Sequence, residues 1–271
     1  MAGESVQTES SLLVSFLQNE EKIITYMAYA MLFGACMMVL NTVSRGEAAP
    51  YGRYASTKFG MLINANFAWF VQELPAFAVP VWCVFYTDAV QLSNFANYVL
   101  VGMMIFHYFQ RTFIFSLLHR GKPTPLAPFI AAVFFCLYNG YMQGRYLTHF
   151  AVYETNYHIS PRFLLGCSMF LGGMAINIQS DRILTNLRKP GETGYKIPRG
   201  GMFDYISGAN FFGESLEWTG YAVACWNLPA FVFAIFTVSN IGPRAFHHHK
   251  FYQEKFEDYP PERKAFIPFL L

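Results

Sequence analysis

Seven stretches of this chain are apolar over close to the roughly 20 residues that an α-helix needs to cross a bilayer. Soluble domains average about 25% charged residues, whereas here only 13% of the residues are charged and 54% are hydrophobic. So few charges do not cover a soluble surface, and they also exclude a disordered chain and a basic nucleic-acid-binding domain. We therefore predict an all-α, multi-pass membrane bundle of seven transmembrane helices, at Ile23–Val43, Phe67–Tyr86, Phe95–Leu118, Leu126–Tyr141, Phe163–Ile178, Tyr205–Ala224 and Leu228–Ile241.

The basic residues separate by loop under this assignment. Fifteen of the 19 lysines and arginines lie in alternate loops and in the segment after the seventh stretch. Three lie on the opposite side, and Arg111 is inside the third stretch. Because basic loops face the cytoplasm, the N-terminus is expected on the non-cytoplasmic side.

The chain is predicted to form a single integral-membrane domain over residues 1–271. Residues 1–22 are expected to be a polar N-terminal segment, and residues 242–271 a cytoplasmic C-terminal tail. Glu4 and Glu9 stand where a cleavable signal peptide carries basic residues, so no such signal is expected. The five cysteines lie in or beside apolar stretches without C-x-x-C spacing, and we interpret them as small buried hydrophobes.

Glu73 is an ionisable residue inside the second stretch. Placing such a group at membrane depth costs at least about 2.5–3.5 kcal/mol, so its presence there calls for a structural or functional explanation. It follows Gln72, and Pro75 and Pro80 are expected to interrupt the helix so that it lines a cavity. One interpretation is a structural carboxylate paired with an arginine. The other is a carboxyl group that burial keeps protonated, so that it donates a proton or a hydrogen bond.

The third stretch contains the segment HYFQRTF, in which His107, Tyr108 and Arg111 lie within about one helical turn of each other. Tyr108 alone would be an ordinary amphipathic aromatic residue. Beside an intramembrane arginine, it becomes a candidate proton donor that faces a polar cavity. A phenol stabilises a developing enolate when a second donor shares the site.

Two stripes of polar residues follow on the fifth and sixth stretches. Their members are Asn177, Asp181 and Arg188, and then Asn210, Glu214, Glu217 and Tyr221. No histidine or cysteine has the spacing to complete a metal site there, and adjacent helical side chains at His247–His249 diverge by about 100°, so no metal is predicted. The standard glycine motifs for nucleotides are absent. The residues indicate a cationic cavity open to the cytoplasm, suited to an anionic ligand with phosphates, with a carboxyl and a phenol at its deep end.

The same segments carry a resemblance to the steroid 5α-reductase family. They read WFVQELP, HYFQRTFIFSLLHRGKP, INIQSDRILTNLRKPGETGYKIPRGGMFDYISGANFFGESLEW and RAFHHHKFYQEKFEDYP. The likeness runs from about Tyr51 to the last residue, and within the family it is strongest to the 3-oxo-5α-steroid 4-dehydrogenases of types 1 and 2. The resemblance implies a seven-helix enzyme that uses NADPH to reduce the double bond of Δ4-3-oxosteroids, such as testosterone or progesterone, to 5α-dihydrosteroids.

The resemblance also implies two sets of site residues. Glu73 and Tyr108 match the catalytic pair that hydrogen-bonds the 3-keto oxygen of the substrate, and Gln72 and Arg111 match neighbouring substrate-binding positions. The positions that match the NADPH-binding residues are Tyr51, Lys122, Asn177, Asp181, Arg188, Tyr195, Lys196, Asn210, Glu214, Arg244, His248 and Tyr252.

Three positions depart from the family pattern. His119 stands where the type 2 enzymes have asparagine, and Lys122 and Lys196 stand where arginine is usual. Lysine keeps the positive charge but lacks the bidentate geometry with which arginine binds phosphate.

The partners implied by the resemblance are a steroid that enters from the bilayer and the membrane lipids, with neither nucleic acid nor metal, and we expect a monomer. A eukaryotic source implies the endoplasmic reticulum, and a bacterial source the inner membrane. The alternatives are a reductase of another lipid enone, a polyprenol or an enoyl-CoA on the same fold, and a seven-helix receptor or transporter. The polar residues cluster toward the cytoplasmic side and the two halves lack corresponding broken helices, which disfavours a receptor and a transporter.

Overall fold

The computed structural model describes the backbone of residues 2–45, 52–189, 192 and 194–271, and the side chains of these except residues 2–18, 43, 45 and 53. Long helices dominate it: α1 Ala2–Arg45, α2 Ala65–Tyr86, α3 Phe95–Leu118, α4 Leu126–Phe150, α5 Pro161–Asn186, α6 Ala209–Cys225 and α7 Leu228–Lys255. The segments Gln110–Phe115 of α3 and Tyr146–Phe150 of α4 have π-helical geometry. Strands β1 (Leu62–Ile63) and β2 (Thr124–Pro125) pair antiparallel, and short 3₁₀ turns lie at Gly52–Tyr54, Thr57–Phe59, Val90–Ser93, Tyr157–Ile159 and Gly201–Asp204.

Polar caps fix where four of these helices begin. Asn64, Asn94, Ser160 and Asn227 each accept a hydrogen bond from a backbone N–H two or three residues later, at the starts of α2, α3, α5 and α7. Such a cap satisfies one of the amide groups that a helix start leaves without a partner. The caps therefore set the starts of these helices, which lie within a few residues of the predicted starts.

Consecutive helices run in alternating directions between two ends of the bundle. At one end, the Asn66 amide at the start of α2 donates to the carbonyl of His119 after α3 (2.9 Å), and the Tyr54 hydroxyl donates to a carbonyl of α7 (3.2 Å). At the other end, the Tyr157 hydroxyl donates to the Ala224 carbonyl near the end of α6 (2.9 Å). The first end carries the basic loops found in the sequence, and we call it the basic end.

Six helices in the described part of the chain are long and apolar enough to cross a membrane: α1 over Asn19–Thr42, then α2, α3, α4, α5 and α7. This confirms the predicted helical, multi-pass membrane bundle. The predicted sixth stretch, Tyr205–Ala224, forms α6, which starts only at Ala209 and has 17 residues. The count of seven spans and the orientation of the N-terminus stay predictions.

Two segments at the chain ends differ from expectation. The predicted polar segment 1–22 is not separate, because α1 begins at Ala2 and continues without a break to Arg45. The predicted tail 242–271 is folded: α7 continues to Lys255, and Phe266 packs with Ile241 in a small core. Apolar side chains such as Phe266 bury against the end of the bundle, which gives this segment a reason to fold.

Pro75 and Pro80 do not interrupt α2, which is where the sequence prediction was wrong. They pack against two glycines of α4: a Cβ placed on Gly140 would lie 3.0 Å from the Pro75 carbonyl oxygen, and one on Gly144 would lie 3.1 Å from the Pro80 Cα. Because these two residues have no side chain, the backbones of α2 and α4 approach closely at the prolines. Helix packing thus accommodates the prolines without a break.

Helices α5 and α6 meet along a seam of four glycines, Gly166 and Gly173 on α5 and Gly213 and Gly220 on α6. Each pair is spaced by seven residues, which is two helical turns and therefore one face. A Cβ on Gly173 would lie 2.6 Å from the Gly213 carbonyl oxygen, and one on Gly213 would lie 2.5 Å from the backbone nitrogen of Asn177. The two backbones touch, and this contact sets the polar stripe of α5 directly against that of α6.

A buried ion pair joins α1 to α4 at the end opposite the basic end. Arg145 donates to both carboxylate oxygens of Glu20, from Nη2 to Oε2 (2.6 Å) and from Nε to Oε1 (2.7 Å). The Tyr141 hydroxyl donates to the same carboxylate (2.7 Å), and Glu20 is 1% exposed. Glu20 lies in the segment 1–22 that the sequence predicts only to be polar, and no local pattern predicts this bidentate contact.

Candidate active site

Glu73 of α2 and Tyr108 of α3 come together beside α4. Cys136 of α4 has its Sγ 3.9 Å from Oε2 of Glu73, and both groups act electrostatically on the buried Tyr108 phenol. Gln72 donates from Nε2 to the other carboxylate oxygen of Glu73, Oε1 (3.2 Å). Asn139, one turn along α4 from Cys136, also interacts with the phenol. The structure thus brings the two predicted donors to one position in the bundle.

His107 and Glu217 form a buried pair behind Tyr108. The Nδ1 atom of His107 lies 2.6 Å from Oε1 of Glu217, and neither side chain is more than 4% exposed. The His107 ring also packs on Trp218, with 4.4 Å between ring centroids, and meets the Tyr108 ring edge-on at 5.0 Å. Glu217 therefore fixes the histidine that supports the Tyr108 ring. The sequence placed Glu217 on a polar stripe but gave no signal that it pairs with His107, because the two residues are 110 positions apart.

Arg111 lies in the π-helical turn of α3 and is buried. Its Nη1 donates to Oδ2 of Asp181 on α5 (2.8 Å), and its guanidinium lies 3.9 Å above the Phe115 ring. Carboxylate pairing and the aromatic face together compensate for the loss of hydration of the cation. π-helical turns occur frequently at functional sites, where they direct a side chain away from the regular helix position.

The predicted cofactor residues of α5 and α6 form one hydrogen-bonded group. The Asn177 amide donates to the Asn210 backbone carbonyl (3.0 Å), and the Asn210 amide donates to Oδ1 of Asp181 (3.3 Å). Half-buried Glu214 lies within electrostatic reach of Arg111 and Asp181. The glycine seam makes these contacts possible, because it lets the two polar stripes face each other at backbone distance.

The predicted cations nearer the basic end are exposed. Arg188 lies beyond the end of α5 rather than on its stripe, and donates to the Gly194 carbonyl (3.3 Å). Lys196 is paired with Glu192 at 2.5 Å, and Lys122 is exposed in the loop before β2. These residues form a rim of exposed positive charge at the basic end rather than part of the buried group.

Helix α7 contributes aromatic and basic residues to the same end. The Arg244 guanidinium lies 4.9 Å above the Phe211 ring of α6, and the His248 ring packs on that ring at 5.3 Å. Tyr252 is buried and stacks on Tyr259 at 5.5 Å, so the folded C-terminal segment covers one side of it.

Tyr195 lies in the loop between α5 and α6, and its ring contacts the Phe251 ring of α7 edge-on at 4.9 Å. Tyr51 lies outside the described residues.

His119 follows the end of α3 and packs on Phe115 and Trp69, with ring centroids 5.0 and 5.5 Å away. Burial, together with the Arg111 guanidinium nearby, lowers the pKa of His119 to about 4. It is therefore neutral at physiological pH and adds no positive charge to the rim. Among the described residues, no group of three or more histidine, cysteine, aspartate or glutamate side chains is arranged to hold a metal ion.

The site has two layers, one at its deep end and one nearer the basic end, and their chemistry differs. At its deep end, the carboxyl group of Glu73 lies within electrostatic reach of the Tyr108 phenol, and a carboxylic acid and a phenol are both able to donate a hydrogen bond to an acceptor such as a carbonyl oxygen. Toward the basic end, amide and carboxylate groups give way to exposed cations, which suits a ligand that is polar along its length and carries phosphates. An acid-assisted reduction of a carbonyl-conjugated double bond uses both layers.

Comparisons with known proteins identify the family of this chain. The sequence model of the 3-oxo-5-alpha-steroid 4-dehydrogenase family matches residues 122–271. The 3-oxo-5-alpha-steroid 4-dehydrogenase 1 of Rattus norvegicus is 53% identical over 228 residues, which cover 84% of this chain and 88% of the relative. That of Bos taurus is 51% identical over 239 residues (87% and 91%), and the type 2 protein of Homo sapiens is 47% identical over 240 residues (87% and 94%). This chain is therefore an oxidoreductase of the membrane that belongs to the 3-oxo-5-alpha-steroid 4-dehydrogenase family, the steroid 5α-reductases.

Proposed function

We propose that this enzyme uses NADPH to reduce the Δ4 double bond of 3-oxosteroids such as testosterone or progesterone, giving 5α-dihydrosteroids. The observation that carries the proposal is the convergence of Glu73 and Tyr108 beside Cys136, in a chain of this family. The reaction consumes one NADPH and one proton for each double bond that becomes a single bond. A 3-keto group needs hydrogen-bond donors at the deep end, and these two residues supply them.

Glu73 and Tyr108 polarise the ketone. Gln72 donates to Oε1 of Glu73 and Cys136 lies at Oε2, so both neighbours orient this carboxyl group. Hydrogen bonds from this group and from the Tyr108 phenol withdraw electrons from the conjugated double bond, so that its β-carbon becomes electrophilic. The same two donors stabilise the enolate that follows, and protonation of the α-carbon gives the saturated ketone.

The residues of α5, α6 and α7 fit a dinucleotide with phosphates. Asn177, Asp181, Asn210 and Glu214 offer the amide and carboxylate groups that bind ribose hydroxyls and a carboxamide, and Arg188, Lys196 and Arg244 offer cations for the phosphates. Four buried polar atoms on α6 and α7 have no hydrogen-bond partner within the described structure, as is typical where a ligand completes a site: Oγ of Ser215, Oε2 of Glu217, the hydroxyl of Tyr221 and Nδ1 of His247. When bound, NADPH supplies the hydride.

The membrane arrangement is part of the proposal. Helix α6 is the remaining span of a seven-helix domain, since it connects the basic end with the opposite end alongside α5. With 17 residues, it is the shortest helix of the seven. With the basic end in the cytoplasm, the N-terminus lies on the other side. The steroid reaches Glu73 from the bilayer, and the single domain acts as a monomer.

The experiment is NADPH oxidation by the purified protein in lipid nanodiscs, with testosterone, progesterone and a polyprenol offered in turn. Steroid-dependent oxidation with formation of the 5α-reduced product supports the proposal. Oxidation with the polyprenol alone would overturn the steroid assignment. No oxidation with any of them, by a protein that binds NADPH, would overturn the reductase assignment to these substrates.

The role of Glu73 is tested with Glu73→Gln, which keeps the size of the side chain and removes the acid. We expect turnover to fall by about 10²–10³, the cost of removing one donor to a developing oxyanion. The matched control is Glu154→Gln, on an exposed carboxylate of the opposite end, and it should behave like the wild type. Near-normal turnover of the Glu73 variant would show that its acid is not used.

A further inference from the structure

One face of α5 points away from the bundle and is mostly apolar until its last turn; the hydroxyl of Ser168 on this face donates to the Leu164 carbonyl (2.8 Å). Leu164, Leu171 and Ile178 are exposed by 53%, 59% and 37%, and they recur every seven residues along the helix. Arg182 follows one turn later, and eighteen residues at 100° each bring it back to the angular position of Leu164. At 1.5 Å per residue the stripe from Leu164 to Arg182 is about 27 Å long, close to the thickness of the hydrocarbon core. An exposed arginine therefore ends a lipid-facing stripe at the depth of the headgroups.

Arg182 also lines a groove at the basic end. The groove has a volume of about 510 Å³, and its lining residues are Gln179, Arg182, Ile183, Asn186, Arg199, Gly200 and Gly201. Both arginines are exposed, and within the described part of the chain neither has a carboxylate at ion-pair distance. The carboxylate of Asp204, in the turn that follows, already accepts a hydrogen bond from the Gly200 N–H (2.8 Å).

The groove lies on a different face of α5 from the candidate active site. Asn177 and Asp181 point toward α6 and are held there by Asn210, whereas Arg182 is one residue further and about 100° around the helix. The two arginines are thus not part of the hydrogen-bonded group that would receive the cofactor. They meet the bilayer surface instead.

We propose that this groove binds the phosphate headgroup of an anionic phospholipid, with the acyl chains of the lipid along Leu164, Leu171 and Ile178. Two arginines provide bidentate donors for phosphate oxygens. The amide side chains of Gln179 and Asn186 provide further polar groups for a headgroup. The basic end is the end that faces the leaflet in which anionic lipids accumulate. The lipid would hold the last turn of α5 at a fixed depth, next to Asp181.

The test is native mass spectrometry of the protein released from nanodiscs of phosphatidylcholine, with and without phosphatidylglycerol. The double variant Arg182→Gln with Arg199→Gln is compared with Lys58→Gln with Arg120→Gln, which removes the same charge from exposed residues of the same end. We expect the wild type and this control to retain a phosphatidylglycerol molecule, and the groove variant to bind it about tenfold more weakly or worse, because charged hydrogen bonds are lost.

Three results would overturn the proposal. Retention of phosphatidylglycerol by the groove variant would show that the lipid binds elsewhere. An equal loss in the Lys58 and Arg120 control would show that the attraction is only that of a basic surface. Displacement of the lipid by inorganic phosphate or by NADPH would assign the groove to a soluble phosphate or to the cofactor. If the double variant does not accumulate, Arg199→Gln alone is judged by the same criteria, because Arg199 lies in a loop. Steroid-dependent NADPH oxidation is recorded separately, so a failure of the enzymatic proposal is distinguishable from a failure of this one.

Discussion

The glycine seam between α5 and α6 makes a quantitative prediction at Gly173. A methyl group there would lie 2.6 Å from the Gly213 carbonyl oxygen and 2.7 Å from the Glu217 Cα, whereas ordinary contacts begin at 3.4 Å. The Glu217 backbone nitrogen would lie closer still, so the helices would have to separate by more than about 0.8 Å, the difference between 2.6 Å and 3.4 Å. Both sides of the clash are backbone, so no side chain is able to rotate away.

The neighbouring residue provides the matched control. A Cβ on Gly172 meets nothing within 4 Å, so Gly172→Ala changes only helix propensity. That propensity gain, up to about 1 kcal/mol, is shared by Gly173→Ala and cancels when the two variants are compared. The difference between them is then the cost of overpacking, about 1–3 kcal/mol. With roughly 2–4 °C per kcal/mol for a chain of this size, Gly173→Ala should melt about 2–12 °C below Gly172→Ala.

The assay is thermal unfolding of both variants in the same nanodiscs, followed by steroid-dependent NADPH oxidation at a temperature where both are folded. Activity should also fall in Gly173→Ala, because the clash displaces Glu217 and with it the His107 ring that supports Tyr108. Adding Gly213→Ala to Gly173→Ala should cost less than the sum of the two single variants, since the helices are already separated. Equal melting temperatures and activities for Gly172→Ala and Gly173→Ala would refute the close approach of α5 and α6.

Three further predictions test other parts of the structure. Glu20→Gln leaves Arg145 buried without its carboxylate and should lower the unfolding free energy by about 3–5 kcal/mol. Replacing both Glu20 and Arg145 by Met should recover most of this loss. Thermal unfolding of the variants measures the effect, and a single variant as stable as the wild type would contradict the ion pair. Glu217→Gln keeps the volume but removes the charge that fixes His107, so turnover should fall about 10–100-fold at a nearly unchanged melting temperature, which separates a positioning role from a structural one. His119 stays neutral in the folded protein down to a pKa of about 4, whereas the unfolded chain protonates it near 6.5, so stability falls as the pH drops through this window. His119→Asn should remove up to about 3 kcal/mol of that loss, and an unchanged pH profile would place the histidine in water.

Much of the architecture was accessible from the sequence because the bilayer imposes it. A span needs about 20 apolar residues, and backbone groups in lipid must bond within the helix, so runs such as Phe95–Leu118 predict helices at nearly their observed bounds. Polar side chains at membrane depth are costly, and for this reason the residue types alone single out Glu73, Arg111 and Asp181, whereas Tyr108 is singled out by its spacing from Arg111. The free-energy cost of burying each polar side chain therefore indicates which residues lie inside the helix bundle and not against lipid.

The partners of those side chains were not accessible from the sequence. His107 and Glu217 are 110 positions apart, and Glu20 and Arg145 are 125 apart. No local pattern specifies such a contact, because it depends on how helices pack side by side. The prolines of α2 illustrate the same limit: their local preference is to break a helix, but Gly140 and Gly144 of a neighbouring helix accommodate them.

The sequence by itself determined that this chain forms a helical membrane domain, which end carries the positive charge, and which few polar residues the bundle must bury. These properties follow from the free energy of transferring each residue between water and lipid. Only the tertiary structure decided that Glu73 and Tyr108 meet beside Cys136, that Arg111 pairs with Asp181, and that His107 is held by Glu217. The physical reason is that such contacts depend on how helices pack side by side. For α5 and α6 the glycine seam sets this packing: Gly173 and Gly213 let two backbones touch, and the closeness of these two helices sets which of their polar groups face each other.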